Sequence, residues 1–184
     1  MSFDMENVEA LGGVKQHPLK LIVNMIWLGI AIFLGIHFLV TTFTKHYLFV
    51  YDGADKAQRC IPEYSVYLLK RDYGEVEIGK VYTFKAKNMA PFYPDGTLIS
   101  KYVVGAEGDL VVQNEQGVFI NGKQLVKDYP SRDKLEVDAE SFYTAYSIPQ
   151  GRYYVSAPAK RSYDSRYWGT VAESQIIGEA IPLW

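Results

Sequence analysis

A chain of 184 residues is long enough for one domain of ordinary size with an appendage, not for two large domains. Its 15% aromatic and 22% charged residues exclude a disordered or low-complexity chain, and 19 Lys+Arg against 21 Asp+Glu, net −2, supply no basic field for nucleic acid. One cysteine, Cys60, excludes an internal disulfide and a cysteine-built zinc cluster; with three scattered histidines, neither a metal nor another cofactor is expected.

Residues 1–20 read as an N-terminal tail with an acidic start at Asp4, Glu6 and Glu9. Leu21 to Thr44 then contains no Asp, Glu, Lys or Arg, and as a helix would run about 36 Å, enough for a ~30 Å hydrocarbon core. Lys20 and Lys45 bracket it, as snorkelling residues do, and Trp27 lies near one end. A core helix rarely runs so long without a charge, and a cleaved signal sequence has a shorter apolar stretch and a basic start. The run 21–44 is therefore read as a retained single transmembrane helix. Charge does not settle its orientation, because Lys15 and Lys20 on one side face Lys45, Lys56 and Arg59 on the other.

After Thr44 the pattern turns strand-like. Short segments rich in β-branched and aromatic residues occur at 47–51, 65–69, 80–84, 98–104, 110–112 and 118–120, with turn signals such as Pro94-Asp95-Gly96 and Glu107-Gly108-Asp109 between them. Asn121-Gly122 between Val118–Ile120 and Lys123–Leu125 signals a two-residue hairpin. Further strands are expected at 142–146, 151–156 and 176–181, and the polar segment 127–140 as a surface excursion. The fold class is thus mostly β: one N-terminal transmembrane helix, then a single antiparallel β domain over 45–184.

Four stretches of that domain carry a resemblance. Leu98-Ile-Ser-Lys-Tyr-Val-Val-Gly-Ala-Glu-Gly-Asp109 resembles the strand bearing the general-base lysine of the type I signal peptidases, the membrane-anchored Ser/Lys endopeptidases of the S26 type. Gly117–Leu125 is similar to the hairpin that follows it, Ser162-Tyr-Asp-Ser-Arg-Tyr-Trp-Gly169 resembles the family's S-x-D-S-R-x-x-G box, and Ile176–Trp184 is similar to the closing strand. The nearest likeness is to the TraF-type branch, which matures conjugative pilins. That branch carries its nucleophile in Ser-x-Pro; this chain has Cys60-Ile61-Pro62 there, and no Ser-x-Pro lies between Thr44 and Lys101.

By position Cys60 becomes the nucleophile and Lys101 its base. A thiol attacks an amide once a base takes its proton, and an amine serves as base when burial favours its neutral form. Ile99 and Val103, on the same strand face as Lys101, make that burial plausible. The resemblance assigns Ser162 to orienting the Lys101 amine. It also puts Gln58 where relatives have a serine that donates to the oxyanion, beside the Cys60 backbone N–H. Asp164 and Arg166 read as supports, with Arg166 or Arg161 as the aspartate's partner, because the arginine that many relatives carry after the lysine is Tyr102 here. Gly105, Gly108 and Gly169 read as turn-forming positions.

The resemblance implies a peptidase anchored in the bacterial inner membrane, single-pass, with its catalytic domain on the periplasmic side. It would cleave an exported precursor through an acyl-enzyme and then, if an amine replaces water, join the ends of the product. Its partners would be a pilin-like precursor and the lipid bilayer, not nucleic acid. The alternative is a catalytically inactive relative serving as an assembly subunit of a conjugative secretion apparatus, for which the motive is the missing serine.

Overall fold

The computed structural model describes residues 18–184. Most of the expected tail, with its acidic start, therefore lies outside the described residues. The chain divides after Thr44 into two units. Helix α1, Pro18–His46, has 29 residues, none of them buried, and is long and apolar enough to cross a membrane. It exceeds the expected 21–44 run at both ends. Pro18 suits a first helical turn, where the missing N–H has no partner to lose, and Lys45 and His46 complement the negative C-terminal end. Inside it, the Thr41 and Thr44 hydroxyls donate back to the His37 and Val40 carbonyls at 2.8 and 2.9 Å, so neither is left unpaired.

Beyond His46 the chain is mostly β, and every strand pairing is antiparallel, as its alternation predicts. In order it forms β1 (Tyr47–Tyr51), β2 (Val66–Lys70), β3 (Val81–Lys85), β4 (Leu98–Gly105), β5 (Leu110–Asn114), β6 (Gly117–Ile120) and β7 (Lys123–Val126). A short helix α2 (Arg132–Leu135) precedes β8 (Thr144–Ser147) and β9 (Arg152–Ser156). Helix α3 (Ser165–Trp168), β10 (Val171–Ala172) and β11 (Ile176–Pro182) complete the chain. One sheet has seven strands in the order β1-β2-β11-β3-β4-β9-β10, the other four in the order β7-β6-β5-β8.

Strand β3 is buried at four consecutive positions, Val81–Phe84, because β11 and β4 flank it and both its faces are covered. On one face Tyr82, Phe84, Met89, Val103 and Val155 form an apolar cluster; on the other Ile61, Tyr67, Leu69, Val81 and Ala180 form a second. A third, around Val111, Val118, Tyr129, Ile148 and Tyr154, contains residues of both sheets.

Three local expectations need correction. Phe142–Tyr146 is not one strand: Ala139–Phe142 forms a 3-10 turn and β8 starts at Thr144, because the Phe142 carbonyl is taken by the Gln113 side chain at 2.8 Å instead of a ladder partner. The 127–140 excursion is not wholly superficial, since Tyr129 is buried and its hydroxyl donates to the Gly117 carbonyl at 3.1 Å. Gly105 is no turn residue; it ends β4 at a register shift against β9, where an added Cβ would press on Ile148, Ile120 and Tyr154. The Asn121-Gly122 hairpin is as expected, with positive φ at both residues (49° and 77°).

Candidate active site

Strand β4 alternates, and its inward positions are Ile99, Lys101, Val103 and Gly105. An eight-residue strand with one lysine on its buried face must bring that lysine into the core, and Lys101 has no exposed surface at all. Its Nζ donates to the Ser162 hydroxyl at 2.9 Å and to the Cys60 sulfur at 3.1 Å. Among the described residues no carboxylate forms an ion pair with it. Burial and these two contacts place the amine where a base for the Cys60 thiol has to sit.

Cys60 lies in the loop between β1 and β2, half-buried. The loop is folded by the Gln58 and Arg59 amides donating to the Asp55 carbonyl at 2.7 and 3.1 Å, and by the Arg59 Nε donating to the Ala54 carbonyl. The Ala159 amide donates to the Cys60 carbonyl at 3.2 Å and so ties the nucleophile loop to the segment before Ser162. Gln58 is exposed and lines both cavities that border Cys60.

Ser162 is fixed from below. Asp164 caps α3 and holds Arg166 through both carboxylate oxygens, Nε to Oδ1 at 2.8 Å and Nη2 to Oδ2 at 3.0 Å. The same guanidinium donates to the backbone carbonyls of Ser162 at 3.0 Å and Asp128 at 3.2 Å. Burial works against the Arg166 charge, but Asp164 more than compensates and holds it above its ordinary value. Gly169 then closes α3 with a φ of 83°, open to glycine at no steric cost. Of the two candidate partners for Asp164, the structure selects Arg166.

Two groups escaped the sequence reading. Tyr93 places its phenol 3.8 Å from the Cys60 sulfur, and its pKa is pushed up by burial and then by the charge of a Cys60 thiolate. It is held by ring contacts with Tyr163, whose own hydroxyl donates to the Ala90 carbonyl at 3.2 Å. Gln113 of β5 reaches across from the second sheet, its Nε2 on the Arg166 carbonyl at 3.1 Å and its Oε1 accepting from Tyr154. The only signal for Tyr93 was a cluster of aromatics in Ala90-Pro-Phe-Tyr-Pro94, which has no period to read. Gln113 gave none, being one polar residue in an alternating strand.

The sulfur thus sits between two cavities. The smaller, about 260 Å³, is walled largely by Val50, Ile61, Tyr67, Leu98 and Ile99; the larger, about 1150 Å³, opens on the side of Ser162. A buried amine bonded at once to a half-buried sulfur and a buried hydroxyl, beside a cleft, can perform nucleophilic acyl transfer.

Residues 20–184 match the family described as signal peptidase, peptidase S26. The chain is 28% identical over 96 residues to signal peptidase I V of Bacillus subtilis, covering 46% of this chain and 56% of that one. It is 30% identical over 86 residues to a probable signal peptidase I-2 of Synechocystis, covering 46% and 37%. It thus spans about half the length, or less, of the curated relatives it matches. A crystal structure of a signal peptidase I from Enterococcus faecalis aligns with 59% of this chain and 98% of that one, at 24% identity and a TM-score of 0.38.

Proposed function

Because the chain belongs to the signal peptidase, peptidase S26, family, we propose that it is a membrane-anchored peptidase that cleaves an exported precursor through a thioester on Cys60. The observation that carries this is the Lys101 amine, fully buried and bonded at once to the Cys60 sulfur and the Ser162 hydroxyl.

In the forward step Lys101 Nζ takes the thiol proton and the sulfur bonds to the scissile carbonyl carbon. The oxyanion receives the Cys60 backbone N–H and, once substrate is bound, the Gln58 side-chain amide. The proton on Lys101 passes to the leaving nitrogen as the C–N bond breaks, leaving the thioester. Water or an amine then attacks, its proton goes to Lys101 and returns to sulfur as the C–S bond breaks. Tyr93 keeps its proton and turns it toward the sulfur, which steadies the thiolate. Ser162 orients the amine, and the Asp164–Arg166 pair holds Ser162.

The TraF-type resemblance supports a conjugative pilin precursor as the proposed substrate, and an inner-membrane anchor with the domain on the periplasmic side as the proposed setting. Thioesters prefer amines to water far more than oxygen esters do. Cysteine in place of serine therefore suits joining the new carboxyl end to the product's own amino terminus, and closeness of the two ends within one bound chain raises the effective amine concentration. Mass spectrometry of the candidate pilin, with and without this protein, tests the reading: loss of a terminal segment alone means cleavage, and loss of a C-terminal segment, which leaves the thioester on the pilin's own new carboxyl end, together with one further water means closure. Cys60→Ser should retain some cleavage and shift product from cyclic to linear. A Cys60 inert to thiol reagents in detergent, with no phenotype on replacement, would instead make the chain an assembly subunit.

A further inference from the structure

The two cavities flanking Cys60 differ in charge as well as size. The larger is lined by Lys56, Lys134, Lys160 and Arg161, all exposed, with no Asp or Glu among its lining residues. That is four cations in a chain whose net charge is −2. Among the described residues Lys160 alone of the four forms an ion pair, with Asp128 at 3.7 Å, and both are more than half exposed. Lys134 rides over the Phe92 ring at 5.9 Å, which seats its charge on the cleft wall. Ser162 lines this cleft and not the smaller cavity. In the proposed mechanism Lys101, bonded to Ser162, returns its proton to the departing nitrogen, which assigns the leaving half of the substrate to the Ser162 side.

We infer that this cleft is a specificity site for acidic side chains in the segment immediately following the scissile bond. The inference rests on the peptidase reading and adds a substrate requirement to it. A concave cleft that contains the nucleophile admits an extended peptide and excludes the flat surface of a bilayer, which is why a peptide is the occupant. Like-charged walls without internal counter-ions raise the local concentration of a complementary segment, and salt screens the effect.

The test uses the full chain in detergent and three peptides identical up to the scissile bond, carrying two Glu, two Gln or two Lys among the next five residues. At roughly 20 mM salt kcat/KM should fall in the order Glu, Gln, Lys, with about tenfold between the extremes, and the spread should collapse near 0.5 M. The triple variant Lys56→Glu/Lys134→Glu/Arg161→Glu, which leaves one positive and three negative charges on the lining, should invert the order, an inversion that a misfolded protein cannot produce. Equal rates for the three peptides, or a Glu preference that survives the reversal, would overturn the inference. Fluorescence anisotropy of the labelled peptides on Cys60→Ala separates it from the peptidase reading. If none is cleaved yet the Glu peptide binds most tightly, the site stands and the peptidase reading falls; equal binding removes the site. If the reversal abolishes only binding to phosphatidylglycerol vesicles, the cations face lipid and the inference is wrong.

Discussion

Lys101 and Arg166 are both basic side chains removed from water, 0% and 2% exposed, and their surroundings differ in kind. Arg166 has a carboxylate gripping it twice and two backbone carbonyls on its remaining nitrogens, so its charge is paid for and permanent. Among the described residues the Lys101 amine has side-chain hydrogen bonds to a sulfur and a hydroxyl and no carboxylate ion pair. The pair shows what to look for in a buried cation: with its counter-ion it is architecture, without one it is available for chemistry.

The sharpest way to break that contrast is Lys101→Met, which fills the same volume and removes the base. Precursor cleavage should fall about 10²–10⁴-fold, while the melting temperature holds or rises, since no ion pair is lost. Lys101→Arg should be as inactive, because arginine keeps its charge and does not deprotonate. Cleavage in either variant near the wild-type rate would remove Lys101 as the base.

Next in size is Asp164→Ala, which strands the Arg166 charge in the core. Chemical denaturation should show a loss of about 3–5 kcal/mol, and the double variant Asp164→Ala/Arg166→Met should recover much of it. A double variant no better than the single would mean the pair is not acting through its charges.

Tyr93→Phe tests the third partner of the sulfur and should be milder. Losing one long hydrogen bond to a thiolate slows alkylation of Cys60 by iodoacetamide at neutral pH by roughly fivefold, in line with a net hydrogen-bond contribution of ~1 kcal/mol. An unchanged alkylation rate would reduce Tyr93 to packing.

The smallest effect concerns pH. Tyr67 and Tyr129 are pushed up to about 12, chiefly by burial, from an unfolded value near 10. Their raised values favour the native state fully below pH ~10, and that contribution is lost as pH climbs toward 12. The melting temperature should therefore be flat from about pH 7 to 9.5 and decline above ~10. A change in cleavage rate across the flat window then does not arise from unfolding. A melting temperature already falling at mildly alkaline pH would contradict this.

Much of the fold was legible because its causes are local. Alternation placed β1 at Tyr47–Tyr51 without error and most other strands within a residue or two, and the Asn-Gly hairpin followed from the φ values those residues tolerate. The Ser162–Gly169 stretch was legible as a box, though that it caps a four-residue helix and clamps its own arginine was not. The break at Phe142 and the burial of Tyr129 were missed because a partner from another strand, Gln113 or Gly117, decides each.

From its sequence alone the protein was committed to an apolar N-terminal helix, a β domain and a lysine on an apolar strand face, because side-chain period and turn chemistry act over a few residues. Only the tertiary structure decided that β11 enters the sheet between β2 and β3, that Lys101 meets Cys60 across 41 positions and Ser162 across 61, and that Tyr93 completes the group. It likewise decided which buried cation has a counter-ion. Proximity between such distant residues is set by strand order and loop closure, and no local pattern in the chain encodes either.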